Sequence, residues 1–300
     1  MLRPHRSTAP RLAAVGLAAA LALAVTACAP EDETATPEPA AGSGSASAST
    51  AACSKESLSL VTDGTFTVGT DKPAYAPWFS DDDPTNGKGY ESAVTYAVAE
   101  QLGFSRDEVT WITVPFTNAY APGDKKFDVD INQVSITEQR RKAVDFSSGY
   151  YDVAQAVVTT ADSPIAGAAT LAALKTAKLG AQVGTTSYTA ITETIGTSEQ
   201  PAAFDTNDQA VQSLKNGQID GIVVDLPTAF YMTGAQLDDG IILGQLPQSG
   251  GTPEQFGAVL DKGSPLTACV SQAVDALREE GKLDTLEQQW LNKQGAPDLK

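Results

Sequence analysis

From Thr65 to Ile131 the chain switches between two periodicities, and this switching restricts its fold more than any other feature. Thr65-Phe66-Thr67-Val68-Gly69-Thr70 alternates with the period of two that marks a strand. Glu91 to Leu102 places Ala93, Val94, Ala97, Val98 and Leu102 on one helical face, and Gly103 closes it. Val109 to Val114 and Phe127 to Ile131 return to strand. This order predicts an α/β layer with a mostly parallel sheet. Ligands bind such sheets beyond the carboxyl ends of the strands. Asp71, Tyr75, Phe116, Asn132 and Ser135 all lie just past a predicted strand.

A β-branched run from Ala154 to Thr160 follows Tyr150-Tyr151 and reads as the crossing to a second domain. There, Thr170 caps a short helix over 171–175 and Lys178 to Val183 is a strand. Gly184-Thr185-Thr186-Ser187 is a turn opening a helix from Tyr188 to Ile195, and free N–H groups at a helix start attract anions. Thr206 or Asn207 caps a helix ending at Gly217. A strand from Asp220 to Leu226 delivers Asp225 to its carboxyl end, and a helix follows over 228–232. Gly240 to Leu246 and Phe256 to Leu260 are strands around the return crossing. Ser264-Pro265 starts a helix running to Glu280, and Asp284 caps a last one ending at Asn292.

The first 52 residues do not read as part of this body. Met1 to Ala27 has a basic start (Arg3, Arg6, Arg11), an apolar run and a small-residue end, the pattern of a secretory signal. The alternative is an uncleaved anchor helix. Val25-Thr26-Ala27-Cys28 resembles the lipobox of bacterial lipoproteins, which implies cleavage before Cys28 and a lipid on its sulfur. Residues 28–53 then form a tether of Pro, Glu, Ala, Ser, Gly and Thr, too poor in large apolar residues to fold.

Loss of the signal removes three Arg and no acid, so the net charge moves from −17 to −20. So acidic a protein does not suit nucleic acid or an acidic membrane surface. The only histidine, His5, leaves with the signal. That excludes a Ser-His-Asp triad, a Cys-His pair and His-ligated zinc from the mature chain, and no cofactor or metal is expected. Four Arg remain, Arg106, Arg140, Arg141 and Arg278, which narrows the search for a carboxylate clamp. In an oxidising compartment, Cys53 and Cys269 would form a disulfide tying the start of the body to a late helix; the alternative is two buried thiols.

Several segments resemble one family. Val68-Gly69-Thr70-Asp71 with Tyr75-Ala76-Pro77-Trp78, Ser135-Ile136-Thr137-Glu138-Gln139-Arg140 with Val144-Asp145-Phe146-Ser147, Val183-Gly184-Thr185-Thr186-Ser187, and Asn216-Gly217-Gln218-Ile219-Asp220 before Asp225 occur in the order of the bacterial extracellular solute-binding proteins of family 3. These are the polar-amino-acid-binding lipoproteins of ABC importers, with glutamine, histidine and cystine binders among them. The resemblance implies a type II periplasmic-binding-protein-like fold, two α/β lobes joined by two hinge crossings that close on the ligand. On this reading 54–154 plus 250–300 form lobe 1 and 155–249 lobe 2.

The same resemblance implies the site. Arg140 takes the ligand carboxylate bidentately, helped by Ser135 and the Thr185-Thr186 turn. Asp225 takes the α-ammonium with the Gln133 carbonyl, Tyr75 and Phe116 sandwich the side chain, and Asp71 and Asn132 line the far end. It also implies an amino acid ligand, membrane permease subunits as partners, a monomer, and a place on the outer face of the membrane. The chain departs from the family in Gly89-Tyr90-Glu91-Ser92-Ala93-Val94, in an extra residue before Tyr75, and in Asn132-Gln133 where the family has serines. Asn132-Gln133-Val134 resembles cystine binders.

Each residue also has a plainer reading. Arg140 could pair with Glu138 or Asp145, Asp225 could cap a helix, Tyr75 and Phe116 could be core aromatics, and Asp71 could hold its loop. Arg141 reads as a surface residue, Trp78 and Trp111 as packing, and Glu91 as a first-turn acid favoured by the helix dipole. A same-fold dehydratase and an amino-acid sensor without transport are the competing functions. A dehydratase needs a general acid or base beyond the binding set.

Overall fold

The computed structural model describes residues 53–248, 253–291 and 295–300. The signal, Cys28, all of the tether but Cys53, the middle of the return crossing and the expected helix end at Asn292 lie outside them. The described elements are β1 Phe66–Thr70, α1 Tyr90–Gln101, β2 Val109–Thr113, α2 Phe116–Ala119, β3 Val129–Asp130, β4 Asp145–Val153, β5 Gln155–Thr160, α3 Leu171–Leu174, β6 Leu179–Gln182, α4 Thr186–Ala190, β7 Ala202–Phe204, α5 Asn207–Lys215, β8 Gly221–Asp225, α6 Leu226–Tyr231, β9 Gly240–Gln245, β10 Glu254–Leu260, α7 Thr267–Glu279 and α8 Lys282–Trp290.

The strands form two five-stranded sheets, β2-β1-β3-β10-β4 and β7-β6-β8-β5-β9. In the first, β1 runs parallel to β2 and β3, while β10 is antiparallel to β3 and β4. In the second, β6 is parallel to β7 and β8, while β5 is antiparallel to β8 and β9. The expected mostly parallel sheet is therefore mixed. The one strand running against the others in each sheet is the one that enters from the other lobe: β5, reached from β4 through Ala154 alone, and β10, which brings the chain back. A strand that enters a lobe from the other one runs against those wound within it.

Lobe 1 is held by an aromatic cluster. Trp78 is fully buried, with ring centroids 5.3 Å from Tyr151, 5.4 Å from Phe256 and 6.1 Å from Tyr90. Burying one such ring stabilises by about 1.5–3 kcal/mol. Trp78 does more than pack: its indole N–H donates to the Thr228 hydroxyl of lobe 2 at 2.9 Å. Cys53 and Cys269 form the expected disulfide, with Cα atoms 5.3 Å apart. It joins the first described residue to α7.

Helix α1 buries residues around most of its circumference, Glu91, Ser92 and Thr95 among them, because it lies on the lobe 1 core and also contacts α7 and α8. The Thr95 hydroxyl donates to the Glu91 carbonyl and that of Ser92 to the Pro84 carbonyl.

The C-terminal segment corrects the expected lobe boundary. Leu283, Leu286 and Leu291 pack in lobe 1, but Leu299 is buried in lobe 2. Gln245 N–H donates to Pro297 O and Leu299 N–H to Gln245 O, both at 2.8 Å. β9 is an edge strand, and residues 297–299 satisfy backbone groups it would otherwise leave open. The final residues belong with lobe 2.

Candidate functional site

Residues at or just past the carboxyl ends of β1, β3 and β8 (Asp71, Asn132 and Asp225) face a common cleft. One cleft there, of about 40 Å³, is lined by every candidate: Asp71, Tyr75, Phe116, Asn132, Gln133, Ser135 and Arg140 from lobe 1, and Thr185, Thr186 and Asp225 from lobe 2. A second cleft of about 980 Å³ shares Arg140, Thr185 and Thr186 and extends toward Tyr120, Gln155 and Glu254.

Arg140 opens a 3-10 turn and is buried. It pairs with neither Glu138 nor Asp145; Asp145 instead meets Lys262 at 2.8 Å. Its Nη1 donates to Ser135 O at 2.6 Å and its Nη2 to Gly184 O at 2.9 Å, so the guanidinium joins the lobes. The plane lies 4.4 Å from the Tyr120 ring centroid and 5.6 Å from that of Phe116. A guanidinium has five N–H groups, so donors remain for a carboxylate. Burial lowers its pKa. Nearby, Ser135 Oγ is 3.1 Å from Thr186 Oγ1 across the lobes.

Thr185 is spent within its own turn: its hydroxyl donates to Gln182 O and accepts from Tyr188 N–H. The helix therefore starts at Thr186, two residues before expectation, and continues as a π turn over Ile191–Ile195.

Asp225 stands at the N-cap of α6 but makes no side-chain cap bond. It accepts from Gln155 Nε2 at 3.2 Å, and the same amide nitrogen lies 3.4 Å from Thr186 Oγ1. Gln155 Oε1 accepts from Ser187 Oγ at 2.6 Å. Burial, then the Glu254 charge, push the Asp225 carboxyl up to about 8. An acid so raised gains most from a cation brought beside it.

At the other end, Asp71 accepts from Lys72 N–H at 2.7 Å and Phe116 N–H at 3.2 Å, and burial raises its pKa. It both holds its loop and lines the cleft. Phe116 begins α2 and packs on Val134, Val144, Phe146 and Val259. Tyr75 reaches lobe 2, where its hydroxyl accepts from Asp208 N–H at 3.4 Å; burial and the Asp208 charge push it up to about 12. Asn132 Nδ2 is buried without a hydrogen-bond partner. Gln133 adopts a left-handed φ of 48°.

The sequence reading missed Gln155, Tyr120 and Glu91. Glu91 is in the first helical turn as expected, but it is also fully buried and bonds Gln133 and Tyr150. Only the packing of α1, which carries Glu91, against the core and against α7 and α8 makes this visible. Gln155, inside the β-branched run from Ala154 to Thr160, carried a weak signal; Tyr120 carried none.

The profile of the bacterial extracellular solute-binding proteins, family 3, matches residues 66–293. The chain belongs to this family. Among its relatives, a probable histidine-binding protein of Neisseria gonorrhoeae is 24% identical over 75% of this chain and 83% of its own length. The L-cystine-binding protein of Escherichia coli is 27% identical over 76% and 82%. Among solved structures, an ancestral arginine-binding protein bound to arginine aligns with a TM-score of 0.63, 30% identity, and coverage of 76% of this chain and 99% of that one. An ancestral amino acid-binding protein, a precursor of cyclohexadienyl dehydratase, aligns with a TM-score of 0.63 and 28% identity over 76% and 96%. The family match agrees with the architecture: two mixed α/β sheets in two lobes joined by crossing strands.

Proposed function

We propose that the protein binds a free amino acid between its lobes and delivers it to an ABC importer. One observation carries this reading: a buried cation on lobe 1, Arg140, and a desolvated acid on lobe 2, Asp225, line the same cleft. A zwitterion needs such a pair a few ångströms apart, because each charge leaves water only when matched. Arg140 and Ser135 take the carboxylate with the Thr186 backbone, and Asp225 takes the ammonium with the Gln133 carbonyl. Tyr75, Phe116, Asp71 and Asn132 meet the side chain. Binding both lobes at once favours closure.

The amino acid specificities of the named relatives support this reading, and they are binding proteins rather than enzymes. The remaining expectations rest on the sequence: a lipid on Cys28, the outer membrane face, permease subunits as partners and a monomeric state. Among the described residues no helix is long and apolar enough to cross a membrane.

A thermal-shift screen of the twenty amino acids and cystine, on wild type and Arg140→Ala, tests the proposal. At a hundredfold excess over Kd, a ligand adds about 2.7 kcal/mol, a shift of roughly 5–10 °C. One or a few amino acids should give it, and the variant should lose it. No response from wild type to any of them would overturn the assignment.

A further inference from the structure

Glu91 does not line the cleft, yet its contacts converge on a residue that does. Its Oε1 accepts the Gln133 backbone N–H at 2.7 Å, and its Oε2 accepts the Gln133 side-chain amide. The Tyr150 hydroxyl also donates to Oε1. Gln133 sits at φ 48°, a left-handed conformation uncommon for a residue with a Cβ. Only an ionised carboxylate is purely an acceptor, and three donors converge on this one; a protonated carboxyl would present a hydroxyl to one of them.

We propose that Glu91 is a positioning residue for the cleft: its ionised carboxylate pins Gln133 in the left-handed turn, and protonation of Glu91 frees Gln133 and weakens ligand binding. The affinity part rests on the amino-acid reading above; the clamp itself does not.

Tyr150 and Gln133 touch Glu91 directly. Tyr90, Asp130 and Asp225 feel its charge, and none of these is a cation. Burial outweighs the donors and lifts the Glu91 carboxyl to about 7. The group is thus ionised above about pH 7 and protonated below. Affinity is full on the alkaline side and falls as pH drops through that value, by at most about tenfold per unit for one proton. Asp225 titrates in the same direction, so the test must subtract it.

Two readouts do so. In ligand-free protein labelled with 15N-glutamine, the Gln133 amide proton should move with pH with a midpoint near 7. In Glu91→Gln it should not move, and Glu91→Asp should regain the titration. For affinity, L-cystine, L-histidine, L-arginine and L-glutamine are titrated into wild type and Glu91→Gln at pH 8 and pH 6. Loss of the charged acceptor should weaken binding on the order of tenfold at pH 8 and reduce the pH slope. A Gln133 amide that ignores pH near 7 in wild type overturns the clamp. Glu91→Gln with wild-type affinity and slope overturns its role in binding. The amino-acid reading is decided by the full screen described above, and the amide titration decides the clamp whichever way that screen falls.

Discussion

Replacing Asp225 with Asn should stabilise the ligand-free protein while weakening its ligand binding. The carboxyl is lifted from 3.8 to about 8, mainly by burial and the Glu254 charge, with Gln155 Nε2 opposing at 3.2 Å. Because the folded-state value lies above the unfolded one, the folded protein holds a proton that the unfolded chain releases. Stability is then unaffected by this group below about pH 4, falls as pH rises, and levels off above about pH 8. At pH 7 the cost is roughly 3.2 units at 1.36 kcal/mol each, or about 4 kcal/mol. This is an upper bound, because the side chain is only partly buried. Asn keeps an acceptor for Gln155 and removes the charge. Urea denaturation of ligand-free wild type and Asp225→Asn at pH 4, 6 and 8 should show a gap near zero at pH 4 that widens toward pH 8. A gap that does not grow with pH would refute the account of this acid as desolvated and without a counter-charge.

Other perturbations test the frame that holds the cleft. Replacing both cysteines, Cys53→Ser with Cys269→Ser, opens a loop of 216 residues and should cost about 3–5 kcal/mol by urea denaturation. Gly89→Ala should lower the melting temperature markedly, because φ is 93° and a Cβ there would meet Phe79 Cα at 2.6 Å. Trp78→Phe removes the indole bond to Thr228 and leaves a buried hydroxyl unpaired, costing about 1–3 kcal/mol by denaturation.

The local pattern exposed much of this fold. Periodicity located α1 to within a residue at each end and found β1, β2, β6 and β8 with small shifts. It failed where tertiary contacts override local preference. The strand expected over Phe127 to Ile131 is regular only at Val129–Asp130, although Asp128 N–H and Ile131 N–H still donate to the β1 carbonyls of Thr67 and Gly69. Helix α7 starts at Thr267 rather than at Ser264-Pro265, and α8 starts after Gly281 in a left-handed cap, leaving Asp284 in its first turn. β7 is three half-exposed residues with no periodic signal, and it went unseen.

The site divides in the same way. Residues at strand ends, such as Asp71, Asn132 and Asp225, could be named from position. Their meeting in one cleft needed the two lobes to be placed together. Glu91 carries no local mark of its role, since a first-turn acid looks the same whether it faces water or an inward-turned Gln133. The Arg140 contact with Gly184 O joins residues 44 apart, beyond the reach of any sequence pattern.

In the proposed clamp, both charges of an amino acid are held. Isothermal titration of wild-type protein with whichever amino acid binds, and then with its α-carboxamide, tests it most directly. The carboxamide keeps the side chain and the ammonium but removes the charge facing Arg140. Saturable binding of the amino acid, with the carboxamide weaker by at least about tenfold, is the predicted result, since a charged hydrogen bond contributes about 1.5–3 kcal/mol. Equal affinity for the two would contradict the account, because Arg140 would then not be reading the carboxylate.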